Sequence, residues 1–333
     1  MNYPLTCAQR RLTLWLVGIS LFAGFALTED DQQLKEGKSS IKTEKSTPKN
    51  WKEKAKLKIG MESASSFSIN HTGYIVCGKH DDPSGTFLNT LWAYDNKTNL
   101  WSKKKDFPGK GREWAVAFSI GTTGYYGTGW NGTVLNDFWS YSALEDTWEK
   151  LKNIPIGRRA GVAFSIGEKG YISTGWNNGH MLNDLWEYST SKDEWKKLKN
   201  LPGKPRQMAL GFSINSKGYV GLGLSKKSLS DLWEFSPESN SWEKRLSLVN
   251  MPSYYGCAFV IGNNVYISTG ANEKHVLETW CFNSISNKWI QKESFPGRGR
   301  HGAVSFSFED SGVIAAGWNQ KDPRFVDVWQ FKP

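Results

Sequence analysis

The sequence predicts an all-β fold: a propeller of six blades, each a four-stranded antiparallel sheet, its ring closed by an N-terminal strand that completes the C-terminal blade. Three observations carry that expectation. Tryptophans recur at Trp51, Trp101, Trp148, Trp195, Trp242 and Trp289, with one gap of 50 residues and then four of 47. A second ladder runs in phase with the first through Trp92, Trp139, Trp186, Trp233, Trp280 and Trp329, spaced by 47 four times and then by 49. A repeat of that length is one supersecondary unit, too small to bury a core without its neighbours. The third observation lies at the ends. Trp51 opens a fourth strand with no unit before it, whereas the last copy, 303–331, stops after its third strand. Two half-blades that complete each other close a ring and remove the unpaired edges that an open array would have to cap.

Taken in order, residues 1–26 read as a secretory signal. Arg10 and Arg11 precede an apolar run from Leu12 to Ala26, and Gly24-Phe25-Ala26 sets small residues at the cleavage subsites. The run is short for a membrane span, so any membrane contact is expected through this segment or through envelope association. Residues 27–48 are a charged leader with little to bury. The propeller is expected over 49–333. Its second copy shows the plan: an apolar strand at 115–120, a turn, a strand at 125–129, a loop at 130–135, a strand at 138–141 and an outer strand from Trp148. The other copies repeat this, with 33 Gly in the chain to supply tight turns and 17 Trp, 12 Tyr and 17 Phe to fill sheet faces.

The chain carries 42 basic and 32 acidic residues, net +10, of which +8 (10 − 2) remains without the first 26 residues. The lysines are spread over every copy with no basic helix or aromatic nucleic-acid motif, so no nucleic-acid partner is expected. Beyond residue 26, Cys77, Cys257 and Cys281 fall on different strands and read as small buried apolar side chains, not a disulfide framework.

Four of the second strands end in a small-x-Gly triplet (Gly127-Thr128-Gly129, Ser173-Thr174-Gly175, Gly221-Leu222-Gly223, Ser268-Thr269-Gly270). With the third-strand pairs Trp139/Tyr141 and Trp186/Tyr188 and the Trp that opens each fourth strand, these resemble the kelch family of β-propellers, over about residues 51–333. The Phe-Pro-Gly followed by Arg and the Ala-Phe-Ser-Ile-Gly run are similar to secreted bacterial kelch proteins. The family carries two adjacent glycines where this chain has small-x-Gly. The resemblance implies a binding scaffold in most cases and an enzyme in a minority, so the fold does not decide function.

Alternating strand direction puts the start of each first strand and the loop after each second strand on one face. That face gathers Arg112, Arg158, Arg159, Arg206, Tyr254, Tyr255, Arg300 and His301 with Trp130, Trp176 and Trp318. From these the ligand-binding set is read as Arg112, Trp114, Trp130, Arg159, Trp176, Arg206, Tyr255, Arg300, His301 and Trp318. Trp offers a platform to a sugar, and Arg a planar fork to a carboxylate. The repeated Arg has a second, structural reading, as a group that satisfies backbone carbonyls or an acid of a neighbouring blade. Residues that break the repeat, Met61, Glu62, Glu113, Trp114, Gln207, Tyr254, Tyr255 and His301, are the better functional candidates. The acids before the third strands (Asp137, Asp184, Asp231, Glu278, Asp327) are read as backbone caps.

The five His show no ligand-like spacing, and neither metal nor cofactor is expected. Galactose oxidase is the copper enzyme whose propeller the chain resembles, but no His-Tyr copper set is visible. The leading functional reading is an exported, non-catalytic module, periplasmic, cell-surface or secreted, that binds a carbohydrate or protein on this face. The alternative is an enzyme of sugar chemistry such as a sialic-acid-type epimerase or mutarotase, with a funnel Arg and Glu62 or Glu113 moving a proton. An envelope structural protein is a third reading. The oligomeric state is left open.

Overall fold

The computed structural model describes residues 48–333, apart from 81, 83, 250, 252 and 273. The signal expected at 1–26 and almost all of the leader at 27–48 lie outside the described residues. Blade 1 comprises Ser65–Ile69, Thr72–Val76, Leu91–Asp95 and Leu100–Lys104. Blade 2 follows with Val116–Ile120, Thr123–Gly127, Phe138–Ser142 and Thr147–Leu151. Blade 3 uses Val162–Ile166, Lys169–Ser173, Leu185–Ser189 and Glu194–Leu198. Blade 4 uses Leu210–Ile214, Lys217–Gly221, Leu232–Ser236 and Ser241–Arg245. Blade 5 uses Cys257–Ile261, Asn264–Ser268, Thr279–Asn283 and Lys288–Lys292. Blade 6 has Val304–Ser307, Gly312–Ala315 and Val328–Phe331, and takes its outer strand, Trp51–Glu53, from the other end of the chain. Trp51 pairs with Phe331 and Glu53 with Trp329, so the ring closes as the orphan tryptophan predicts.

The innermost strands alternate large buried residues with small ones, as in Val116, Phe118 and Ile120 against Ala117 and Ser119. Large side chains enter the space between sheets, and only small ones fit where six strands converge on the axis. Their unpaired edges are partly met by serines of the next blade: Ser119 Oγ donates to the Ser68 carbonyl at 2.6 Å and Ser305 Oγ to that of Ala258 at 2.7 Å. Phe118 stacks on Tyr125 within blade 2 at 5.1 Å, and Tyr125 leans on Tyr188 of blade 3 at 5.9 Å, an arrangement repeated in blades 1, 3, 4 and 5.

The first tryptophan ladder staples neighbouring blades. Each indole Nε1 donates to a carbonyl in the linker entering its blade: Trp101 to Ala55, Trp148 to Lys105, Trp195 to Lys152, Trp242 to Lys199, Trp289 to Leu246 and Trp51 to Glu293, at 2.7 to 3.2 Å. Cys77, Cys257 and Cys281 are free and buried.

Candidate functional site

Six residues just ahead of the first strands, Ser63, Trp114, Ala160, Met208, Tyr255 and Gly302, have left-handed backbones with φ between 52° and 62°. Each donates its N–H to the carbonyl of its counterpart in the adjacent blade: Trp114 to Ser63, Ala160 to Trp114, Met208 to Ala160, Tyr255 to Met208, Gly302 to Tyr255 and Ser63 to Gly302, at 2.8 to 3.2 Å. Six such bonds make a closed loop around one mouth of the channel. Non-glycine residues in this conformation are strained, and strain of this kind persists only where the surroundings enforce it.

The residue before each loop member stands at the rim: Glu62, Glu113, Arg159, Gln207, Tyr254 and His301. Each pairs in antiparallel fashion with the loop after the second strand, for example Glu113 with Trp130 and Arg159 with Trp176. The small-x-Gly triplet makes that approach possible. Its middle residue (Cys77, Thr128, Thr174, Leu222, Thr269, Ala316) has φ of 55° to 63°, and the glycine that follows has φ of 90° to 105°. A Cβ on Gly175 would stand 2.8 Å from the Arg159 carbonyl oxygen, and one on Gly129 would stand 2.8 Å from that of Glu113. The glycine therefore sets how closely the loop supports the rim residue.

The repeated arginines lie behind the rim. Arg112, Arg158, Arg206 and Arg300 are almost wholly buried. Their two Nη atoms grip Asp137, Asp184, Asp231 and Asp327 at 2.5 to 2.8 Å. Nη1 of each also donates to the carbonyl of Thr128, Thr174, Leu222 or Ala316 at 2.9 to 3.0 Å. Of the residues read as ligand-binding, Arg112, Arg206 and Arg300 thus have their guanidinium groups turned to the scaffold, as the structural reading had it. Four of the five carboxylates expected to cap backbone are the arginines' partners, and each of these four also accepts the indole N–H of Trp139, Trp186, Trp233 or Trp329 at 2.7 to 2.9 Å; the fifth, Glu278, does accept a backbone N–H, from Leu277 at 3.2 Å. Burial alone would raise Asp231 and Asp327, but the hydrogen bonds and charges of Arg206 and Arg300 outweigh it and hold them below the usual carboxylate range. Blades 1 and 5 carry Met61 and Ser253 in place of the arginine, and Thr90 and Glu278 in place of the aspartate. Both members change together, as expected where a buried charge left without its partner is costly.

Arg159, one position further along, is the arginine that reaches the rim. Its guanidinium carbon sits 4.3 Å from the Trp176 ring, 4.9 Å from Trp114 and 5.7 Å from Trp130. Among the described residues no acceptor meets its buried Nε. Burial lowers its pKa, and the nearby Glu113 charge opposes the shift. Trp130 and Trp176 accordingly clamp a cation with their faces. Trp318 does the same under Arg324, at 5.0 Å, and its Nε1 donates to the Asp322 carbonyl.

Two carboxylates stand side by side at the rim in blades 1 and 2. Glu62 accepts from Arg324 Nη2 at 2.8 Å and from its Nε at 3.2 Å. Glu113 is 3% exposed and makes no side-chain hydrogen bond or ion pair among the described residues. Burial pushes its carboxyl up to about 7; Lys79, Arg159 and Arg324 pull it down, and Glu62 pushes it further up. Across the rim, His301 Nδ1 lies 3.0 Å from His275 Nε2. At the neck, the Tyr255 hydroxyl and Trp114 Nε1 are buried and close to each other, and neither makes a hydrogen bond of good geometry among the described residues. Tyr255 lies against Gly302 and Ser63 there. Beyond the neck, the first strands line a channel of about 430 Å³ with Ser66, Ser68, Ser119, Ser165 and Ser213 among its walls.

The structure therefore brings Trp114, Trp130, Arg159, Trp176, Tyr255, His301 and Trp318 together, with the repeat-breaking Glu62, Glu113, Gln207 and Tyr254. Sequence reasoning missed Lys79, His275 and Arg324, which come from loops after the second strands that differ in every blade. Among the described residues, no group of three or more His, Cys, Asp or Glu could hold a metal ion.

No family model and no curated protein matches the chain. A solved structure titled "Structure of YjhT" superposes with a TM-score of 0.72, over 82% of this chain and 95% of that one, at 18% sequence identity. The chain shares the YjhT fold. At that identity the likeness speaks for architecture alone, and the chemistry has to be argued from the rim.

Proposed function

We propose that the rim binds an anionic sugar and moves a proton on it, with Glu113 as the acid–base group. This is the enzymatic alternative among the sequence readings. The observation that carries it is Glu113: a carboxyl 3% exposed, without a hydrogen-bond partner among the described residues, held up to about 7 beside Arg159, Lys79 and Arg324. A group poised near neutrality can both take and return a proton, and the cations beside it suit a ligand carboxylate. Arg159, prebuilt between indoles, offers the fork. The kelch kinship and export belong to the same proposal and are supported by the small-x-Gly triplets and the signal-like residues 1–26.

One observation favours the binding-module reading. Arg159 is already fixed by three tryptophans, as a recognition group would be without any chemistry. The two readings separate in one experiment, in which anomer exchange of sialic and glucuronic acids is followed by NMR with wild type, Glu113→Gln and Arg159→Ala. Accelerated exchange that falls about 100-fold in Glu113→Gln supports proton transfer. Binding without acceleration, unchanged in Glu113→Gln and lost in Arg159→Ala, would leave only the binding module.

A further inference from the structure

The His275–His301 contact has a geometry that loop bracing does not require. The nitrogens are 3.0 Å apart, the ring planes differ by 3° and the centroids lie 5.2 Å apart. Face-to-face stacking would bring the centroids nearer than that for the same nitrogen separation. The two imidazoles must instead lie edge to edge in nearly one plane, joined by a near-linear N–H···N hydrogen bond. One proton occupies that bond, so the tautomers of the two rings are tied together.

His301 is the rim residue of blade 6, and its Nε2 has no hydrogen-bond partner among the described residues. His275 comes from the loop after the second strand of blade 5 and is half-buried, with Lys321 as its charged neighbour. The groups packed around His301 are the Tyr255 ring at 5.9 Å and the Trp318 indole at 6.2 Å, the latter carrying Arg324 on its face. Arg324 is in turn paired with Glu62. Among the described residues no carboxylate acts on either imidazole, so nothing in this shell favours imidazolium. Burial, and then the His275 neighbour, hold the His301 pKa down to about 4, and burial followed by Lys321 lowers that of His275.

We propose that His301 is a second proton-handling group of the rim and that His275 is its positioning residue, the pair forming a relay from the funnel to solvent. The role rests on the proton-transfer reading given to Glu113. In one direction His301 Nε2 takes a proton from the ligand. The Nδ1 proton of His301 passes along the hydrogen bond to His275 Nε2, and the Nδ1 proton of His275 leaves to water. Both rings end neutral with their tautomers exchanged, and the reverse sequence delivers a proton. Glu113 in blade 2 and the His301 pair in blade 6 flank blade 1, so a ligand between them would meet proton-transfer groups on two sides.

The test needs no ligand, so its outcome is separable from that of the Glu113 experiment. The full chain is labelled with 15N-histidine, and two-bond 1H–15N correlations are recorded from about pH 4 to pH 8. The expected wild-type result is one coupled pair of neutral tautomers, with His301 titrating near 4. In His275→Ala, His301 should lose its fixed tautomer and its midpoint should rise toward the ordinary 6.5. His275→Gln, which retains a donor and an acceptor, should keep the tautomer fixed. A His301 tautomer and midpoint unchanged in a folded His275→Ala, or independent titration of both rings near 6.5 in wild type, would overturn the relay.

Discussion

Blades 1 and 5 supply a template for testing how the buried arginines hold the ring. In blade 4, Arg206 spends its guanidinium on Asp231 at 2.6 and 2.7 Å, on the Leu222 carbonyl at 3.0 Å and, through Nε, on the Lys204 carbonyl at 3.0 Å. Arg206→Met removes four donated hydrogen bonds at once and strands Asp231, which also holds Trp233 Nε1 at 2.7 Å. Removing one member of a buried pair costs about 3 to 5 kcal/mol, and because the Asp231 side chain is 21% exposed the lower end, about 3 kcal/mol, applies. The double variant Arg206→Met/Asp231→Thr copies Met61 and Thr90 of blade 1, where the first of these side chains is fully buried. It leaves no stranded charge and should return to within about 1 kcal/mol of wild type, recovering about 2 kcal/mol of the Arg206→Met loss. Guanidinium unfolding followed by tryptophan fluorescence measures all three differences, given one cooperative transition. A double variant as unstable as the sum of its two single variants would refute the pairing argument, because the cost would then lie in lost packing and not in an unpaired charge.

Two further outcomes follow from the same geometry. Glu113 holds its proton up to about pH 7 when folded but only up to about 4.5 when unfolded, so it should make stability fall as pH rises between those values and then level off. Glu113→Gln should remove that fall and gain about 3 kcal/mol at pH 8, read from unfolding midpoints across pH. Trp51, 4% exposed and packed edge-on against Phe259, Phe295 and Phe331, is the clasp of the ring, and Trp51→Ala should cost about 3 to 5 kcal/mol in the same assay. A loss under about 1 kcal/mol would mean that the outer strand of blade 6 contributes little to closure.

The architecture was legible because its signal repeats. Trp51 has the same surroundings as Trp148 and Trp195, so an orphan copy at one end could be assigned to the blade incomplete at the other. The rim was half legible. Of the eight departures from the repeat, Glu62, Glu113, Gln207, Tyr254 and His301 share one structural position at the rim, whereas Trp114 and Tyr255 belong to the closed loop beneath it and Met61 is buried at the arginine position. The arginines misled because Arg158 and Arg159 are adjacent, which hides a one-residue offset. In extended chain that offset turns a side chain to the opposite side, so Arg158 joins Arg112, Arg206 and Arg300 against the scaffold while Arg159 joins the rim. Their partners, Asp137 and its counterparts, lie 25 to 27 residues away, beyond any local pattern. Arg324, Lys79 and His275 come from the loops after the second strands, where equivalent positions carry different residues from blade to blade (Lys79 stands where other blades have Trp130, Trp176 or Trp318), so periodicity carried no information about these side chains.

The closed loop of six left-handed residues has a consequence for how such a molecule changes over time. Each rim side chain hangs from identical fixtures: a backbone bond to the next blade, a glycine beneath its carbonyl and, in four blades, an arginine clamp behind it. None of these fixtures uses the rim side chain itself. The six positions therefore act as interchangeable sockets, in which a glutamate, arginine, glutamine, tyrosine or histidine can be seated without renegotiating the scaffold. A lineage built on this frame can replace its chemistry one socket at a time and keep the wheel.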